Sequence, residues 1–150
     1  MYTTLDEGFS VAHDEKQLQY TVKSGATEFK NWKINSNFDY ADASFDAANG
    51  KYTVPSDGRY MISSEITFAS VTTAPPGVTM ALFINDVAHA STFICHGSIS
   101  EPRTISLRCN AKCARGDVLQ LKFVSKAAYD TQINLVGDAV ASRFSAQRQH

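Results

Sequence analysis

Hydrophobic and polar residues alternate with period two through much of the chain, and the longest such run starts at Tyr60. Tyr60, Ile62, Ser64, Ile66 and Phe68 fall on one face, with Met61, Ser63, Glu65 and Thr67 on the other, which predicts a strand with one face in a core. The segment before it, Phe45 to Gly58, adds two turns and a short strand. Asn49-Gly50 predicts a hairpin turn, because Asn followed by Gly most easily takes positive φ at both central positions. Lys51 to Val54 then reads as a strand. Pro55, which lacks an amide hydrogen for a ladder, ends it, and Ser56-Asp57-Gly58 turns the chain into the long run.

The same pattern recurs on both sides. Phe9 to Ala12 and then Leu18, Tyr20 and Val22 predict two strands, the second ended by Lys23-Ser24-Gly25. Phe29, Trp32 and Ile34 form a mixed segment, and a loop at Asn35-Ser36-Asn37 leads into the Asp-rich FDYADASFD. Beyond Phe68, Pro75-Pro76-Gly77 marks an exposed connection. Val78, Met80, Leu82 and Ile84 alternate up to a tight turn at Asn85-Asp86, and Val87 to Cys95 returns as the second arm of a hairpin. After a loop from His96 to Arg103, Ile105, Leu107, Cys109 and Ala111 form the inward series of another strand. Arg115-Gly116-Asp117 turns into Val118 to Ser125, and the last strand or strands run from Ile133 to Phe144, interrupted at Gly137-Asp138. About ten short strands with regular turn signals and no amphipathic helix predict an all-β antiparallel sandwich, jelly roll or barrel. Residues 1–8 read as a flexible arm, 9–145 as one domain and 146–150 as a polar tail.

Composition narrows the function classes. A chain of 150 residues is one domain by length and can bury a core without a metal or disulfide staple. With 14 basic and 15 acidic residues the net charge is −1, which gives no reason to expect nucleic acid as a partner. No apolar run reaches membrane-spanning length, so no membrane insertion is expected, and MYTTLDEGFS shows no signal peptide.

The opening stretch resembles the aromatic motif of the complement C1q globular domain, a member of the tumour necrosis factor-like jelly rolls. Phe45 is followed by Tyr52, then by Gly58 and Tyr60, with Ile62 where a further aromatic is usual. Leu82 and Asn85 resemble the family's Leu-x-x-Asn-Gly hairpin, with Asp86 in place of Gly. Gly116-Asp117-Val118 is similar to the opening of its penultimate strand, and Ser142, Phe144 and Ser145 to the Ser-x-Phe-Ser before its last one. The resemblance runs from Ile34 to Ser145. It implies a ten-stranded jelly roll that assembles as a homotrimer, binds glycan or protein ligands on outer loops or at subunit boundaries, and performs no catalysis. Phe83, Phe93, Phe123, Tyr129 and Phe144 supply a motive for trimerisation if they face away from the core; a two-sheet fold that buries some of them is the alternative.

Several residue sets carry candidate chemistry. Cys95-His96 with Cys109 and Cys113 offers three thiols and an imidazole, but the spacing does not match structural zinc, and Cys109 continues the inward series of Ile105 and Leu107. A disulfide from Cys95 to Cys109 or Cys113 is an alternative that leaves one thiol free. Arg115-Gly116-Asp117 has the form of an integrin-binding tripeptide and equally of a strand-opening turn. Asp39, Asp42 and Asp46 form an oxygen-rich loop of the kind calcium takes, or a solvated acidic turn; no other cofactor is expected. His13, His89, His96 and His150 sit in no catalytic arrangement, and no cluster of His and carboxylate suggests a cupin-type metal enzyme. The loops at Pro75-Pro76-Gly77 and from His96 to Arg103 are the expected places for partner contacts. The leading expectation is an extracellular, non-enzymatic trimeric recognition head. The alternative is a viral or phage attachment or capsid-associated head at a virion surface, which suits an unpaired thiol and assembly in reducing cytoplasm.

Overall fold

A computed structural model describes residues 7–13, 19–34, 39–126, 130–136 and 142–149. Among these the chain is all strand and turn, and every strand pairing is antiparallel. The strands are β1 (Gly8–His13), β2 (Gln19–Val22), β3 (Gly25–Glu28), β4 (Trp32–Lys33), β5 (Tyr40–Ala41), β6 (Phe45–Asp46), β7 (Lys51–Thr53), β8 (Gly58–Thr72), β9 (Val78–Ile84), β10 (Val87–Cys95), β11 (Arg103–Cys113), β12 (Val118–Ser125), β13 (Thr131–Leu135) and β14 (Ser142–Gln149). No helix among the described residues is long and apolar enough to cross a membrane.

Two sheets enclose one core. In the first, β11, β8, β14 and β1 lie side by side; β13 continues along the β8 edge that β14 occupies and carries β2, while β4 and β5 line the far edge of β1. In the second, the order is β10, β9, β12, β7 and β6, with β3 beside β7 on the same edge of β12. Each sheet thus has a long central strand, β8 or β12, with two short strands in tandem along one edge.

The alternation from Tyr60 to Phe68 is realised as expected: Tyr60, Ile62, Ser64, Ile66 and Phe68 are buried, and the strand runs four residues further than the pattern indicated. Beyond Phe68 the next buried side chain is Val71, an odd step caused by a bulge: Ser70 pairs with Asn134 but Phe68 with Leu135, leaving Ala69 unpaired. The Asn85-Asp86 turn is also realised, with φ of 52° and 64° at its two residues and Ile84 facing Val87 across the hairpin. The Asn49-Gly50 turn differs. Phe45 pairs with Tyr52 and Asp46 with Lys51, so four residues, 47–50, make the turn, closed by the Gly50 amide donating to the Asp46 carbonyl over 2.8 Å. The Asp46 carboxylate, which accepts from the backbone and side-chain nitrogens of Asn49, favours this wider turn.

Rings fill the space between the sheets. Phe9 stacks on Phe45 at 4.2 Å and meets Tyr52 and Phe144 at 4.9 and 4.8 Å; Trp32 stacks on Phe29 at 4.7 Å, which meets Phe123 at 5.1 Å. Full burial of side chains this large stabilises the fold by about 1.5–3 kcal/mol each. Two terminal assignments are corrected. Glu7 and Gly8, assigned to the arm, belong to the fold: Gly8 opens β1, and Glu7 accepts from the Ser56 hydroxyl at 2.9 Å. Ala146 to Gln149, assigned to the tail, continue β14, because Ala146 extends the inward series of Ser142 and Phe144 and is fully buried. Residues 1–6, Leu18, the 35–37 loop, Tyr129, Gly137-Asp138 and His150 lie outside the described residues.

Candidate functional site

The residues of the aromatic motif are architectural. Tyr52, Tyr60 and Phe144 are fully buried, and Phe45 is half-buried against Phe9. The Tyr60 hydroxyl donates to the Ser56 carbonyl at 3.0 Å, closing the turn before β8. Gly58 keeps that corner open: a Cβ there would sit 2.7 Å from Arg148 Nε, whose guanidinium donates twice to the Asp57 carbonyl.

Arg115-Gly116-Asp117 forms a latch. The Gly116 amide donates to the Val54 carbonyl, Asp117 accepts from Asn85 Nδ2 at 2.9 Å and from the Ala114 amide at 2.8 Å, and the Arg115 amide donates to Asp57. These two bonds, from Asn85 and then from Ala114, hold the Asp117 carboxyl below the usual carboxylate range. With one oxygen bonded within its own turn and the other to Asn85, Asp117 acts as a brace between the β9–β10 and β11–β12 connections.

The acidic loop does not converge. Asp39, its side chain fully buried, pairs with Arg143; Asp42 accepts from the amides of Gly8 and Ser44 and from the Tyr52 hydroxyl; Asp46 is engaged by Asn49. Among the described residues no three His, Cys, Asp or Glu side chains come together as a metal site. The three cysteines are free thiols, with Cys95 and Cys113 buried and Cys109 half-buried. His13 is buried, its Nε2 at 2.9 Å from the Tyr20 hydroxyl, and His96 packs its ring on Phe93 at 4.4 Å. The loops expected to contact partners are bound to each other, with the Thr73 amide donating to the Ser98 hydroxyl and Val71 bridging Ile99. Of the aromatics proposed for an outer face, Phe123 and Phe144 are in the core, Phe83 is half-buried under the Lys122 ammonium, and Phe93 is 45% exposed.

A concave site lies where sequence reading placed none, on the outer face of the first sheet. Register puts Ser106 opposite Glu65, and Glu65 opposite Arg143; one step along, Arg108 faces Ser63, Ser63 faces Ser145, and Ser145 faces Ser10. The short serines leave a hollow of about 210 Å³ between the longer chains of Glu65, Arg108 and Arg143. Its floor is fixed by a 2.8 Å bond between the Ser63 and Ser145 hydroxyls, and Arg143 reaches Ser10 at 3.4 Å while paired with Asp39. Ser63, Glu65, Ser106 and Arg108 stand at the outward positions of the alternating runs in β8 and β11, whereas Ser10, Arg143 and Ser145 come from strands whose facing the pattern left unassigned; only the register brings them together.

Compared with known proteins, the chain matches no family model and no curated sequence.

Proposed function

We propose that this protein is a non-enzymatic recognition head of the C1q and tumour necrosis factor-like jelly-roll type, assembled as a homotrimer and binding glycan or protein ligands outside the cell. The observation that carries the reading is the strand order. The four strands β11, β8, β14 and β1 pack against β10, β9, β12 and β7, and from β7 onward the chain alternates between sheets except at the β9–β10 hairpin and at β13 and β14, which both lie along β8. That path fits two interlocked Greek keys. The buried positions of Tyr52, Tyr60 and Phe144 are those the resemblance assigns to the frame. Exposed Met61, Val87, Phe93 and Ile34 supply apolar surface for contact between copies. Three copies on one rigid head convert weak single contacts into useful binding. Light scattering coupled to size exclusion tests the assembly: a three-chain mass is expected, and a monomer at micromolar concentration overturns it. A glycan array run with and without calcium tests the ligand class.

The three free thiols favour a second reading, an attachment or capsid-associated head of a virus or phage assembled in reducing cytoplasm. Copurification with virions, against secretion into the medium, separates the two.

A further inference from the structure

We infer that the serine-floored hollow on the outer face of the first sheet binds an acidic sugar residue of the uronic-acid type, with Arg108 on its carboxylate and Glu65 and the serines on its hydroxyl groups. The inference rests on the glycan-binding reading above and names the ligand class.

Its first support is a pair of opposite charges that do not use each other. Glu65 and Arg108 are diagonal neighbours on β8 and β11, since Glu65 faces Ser106 and Ser63 faces Arg108. Diagonal positions on one sheet face lie about 7–8 Å apart, within reach of long side chains. Yet among the described residues neither forms an ion pair or a side-chain hydrogen bond, whereas Arg143 beside them is held by Asp39. The hollow therefore presents one uncommitted guanidinium and one uncommitted carboxylate at its rim.

The second support is the match between those groups and one ligand chemistry. A guanidinium binds a carboxylate through two parallel N–H donors. A free carboxylate accepts from paired hydroxyls, and serine hydroxyls both donate and accept. A simple anion would satisfy Arg108 and be repelled by Glu65; a neutral sugar would leave Arg108 without a counter-charge. A ring bearing one carboxylate and several hydroxyls satisfies both. The hollow, at about 210 Å³, lies below the range of roughly 300–1,000 Å³ typical of drug-sized ligands, which limits it to a single small residue. Its walls stand on paired strands and so are positioned before the ligand arrives.

The test is a two-dimensional amide NMR titration of the full chain with glucuronic acid, run beside glucose and acetate. Shifts confined to residues around Ser63, Glu65, Ser106, Arg108 and Ser145 are expected, with affinity in roughly the millimolar range for a single contact. Glucose, acetate and the Arg108→Ala variant should each bind at least about tenfold more weakly, and Arg108→Lys should fall between, because a lysine offers charge without the fork. A glucuronate-terminated oligosaccharide that shifts the same amides with equal or greater affinity identifies the source as a glycan end; binding of the free acid alone assigns the site to a soluble sugar acid. The inference is overturned by absence of shifts at tens of millimolar, by shifts elsewhere, by acetate binding as well as glucuronate, or by an Arg108→Ala variant that binds unchanged. Arg108 is exposed, so that variant should fold, and circular dichroism checks it. A three-chain mass without uronate binding removes this site and leaves the trimeric head standing; uronate binding by a monomer does the reverse.

Discussion

The Tyr52 hydroxyl donates to an Asp42 carboxylate oxygen over 2.7 Å, and the same oxygen accepts from the Gly8 amide at 2.9 Å. One carboxylate thereby joins β7 of the second sheet to the start of β1 in the first. Burial, and then the hydrogen bond to Asp42, push the Tyr52 phenol above its ordinary range. Replacing Tyr52 by Phe keeps the ring packing and removes the bond. Because the acceptor is charged, urea unfolding should show a loss of about 1.5–3 kcal/mol. A midpoint unchanged from the parent protein would mean that the bond contributes nothing.

Tyr60 gives the fold an alkaline limit. Burial, and after it the nearby Glu7 charge, push its phenol up from 10.0 to about 12. The folded pKa is raised, so this contribution to stability is complete below about pH 10, where an unfolded tyrosine begins to ionise. It falls as pH climbs toward about 12. Stability measured across that window should decline, and Tyr60→Phe should decline less steeply. Equal slopes would assign the alkaline loss to other groups.

Gly50 has φ of +71°, and a Cβ built there would lie 2.3 Å from the Phe29 carbonyl oxygen and 3.2 Å from Trp32 Nε1. Left-handed backbone costs a non-glycine residue about 1–2 kcal/mol before any clash is counted. Gly50→Ala should therefore lose more than about 2 kcal/mol in thermal or urea unfolding. A loss below half of that would mean that the Ala47–Gly50 turn can move away from β4.

The thiols report on the compartment. Burial raises Cys95, Cys109 and Cys113, the last to about 11. In denaturant three thiols should react with a chromogenic disulfide; in the native protein at about pH 8, Cys113 should react far more slowly, since the thiolate is the reactive form. A count of one in denaturant would reveal a disulfide.

Much of the frame was legible from local pattern. Tyr60 to Phe68 bury the residues that alternation assigned, the inward series of β11 buries Leu107 and Ala111 and half-buries Ile105 and Cys109, and Asn85-Asp86 turns as its residue types require. The short strands β3, β4 and β5 were not legible. Each holds two to four residues, too few for periodicity to register, and Gly25, read as a strand end, starts β3 because β12 offers it an open edge. The fate of the aromatics was hidden for another reason. Phe123 and Phe144 become core residues only because β12 and β14 lie centrally in their sheets, and sheet position depends on partners far along the chain. The hollow of Ser10, Ser63, Glu65, Ser106, Arg108 and Arg143 was invisible for the same cause.

The sequence alone determined the period of the strands, which side chains share a face, and where glycine and asparagine let the chain reverse. Those properties follow from steric limits on a few adjacent residues. The tertiary structure decided register and neighbourhood: that β13 and β14 share one edge of β8, that a bulge at Ala69 changes which residues turn inward, and that Arg143 reaches Ser10 across 133 positions of sequence. A strand's pattern is the same whichever partner it pairs with, so only the assembled sheets select the groups that stand around the hollow.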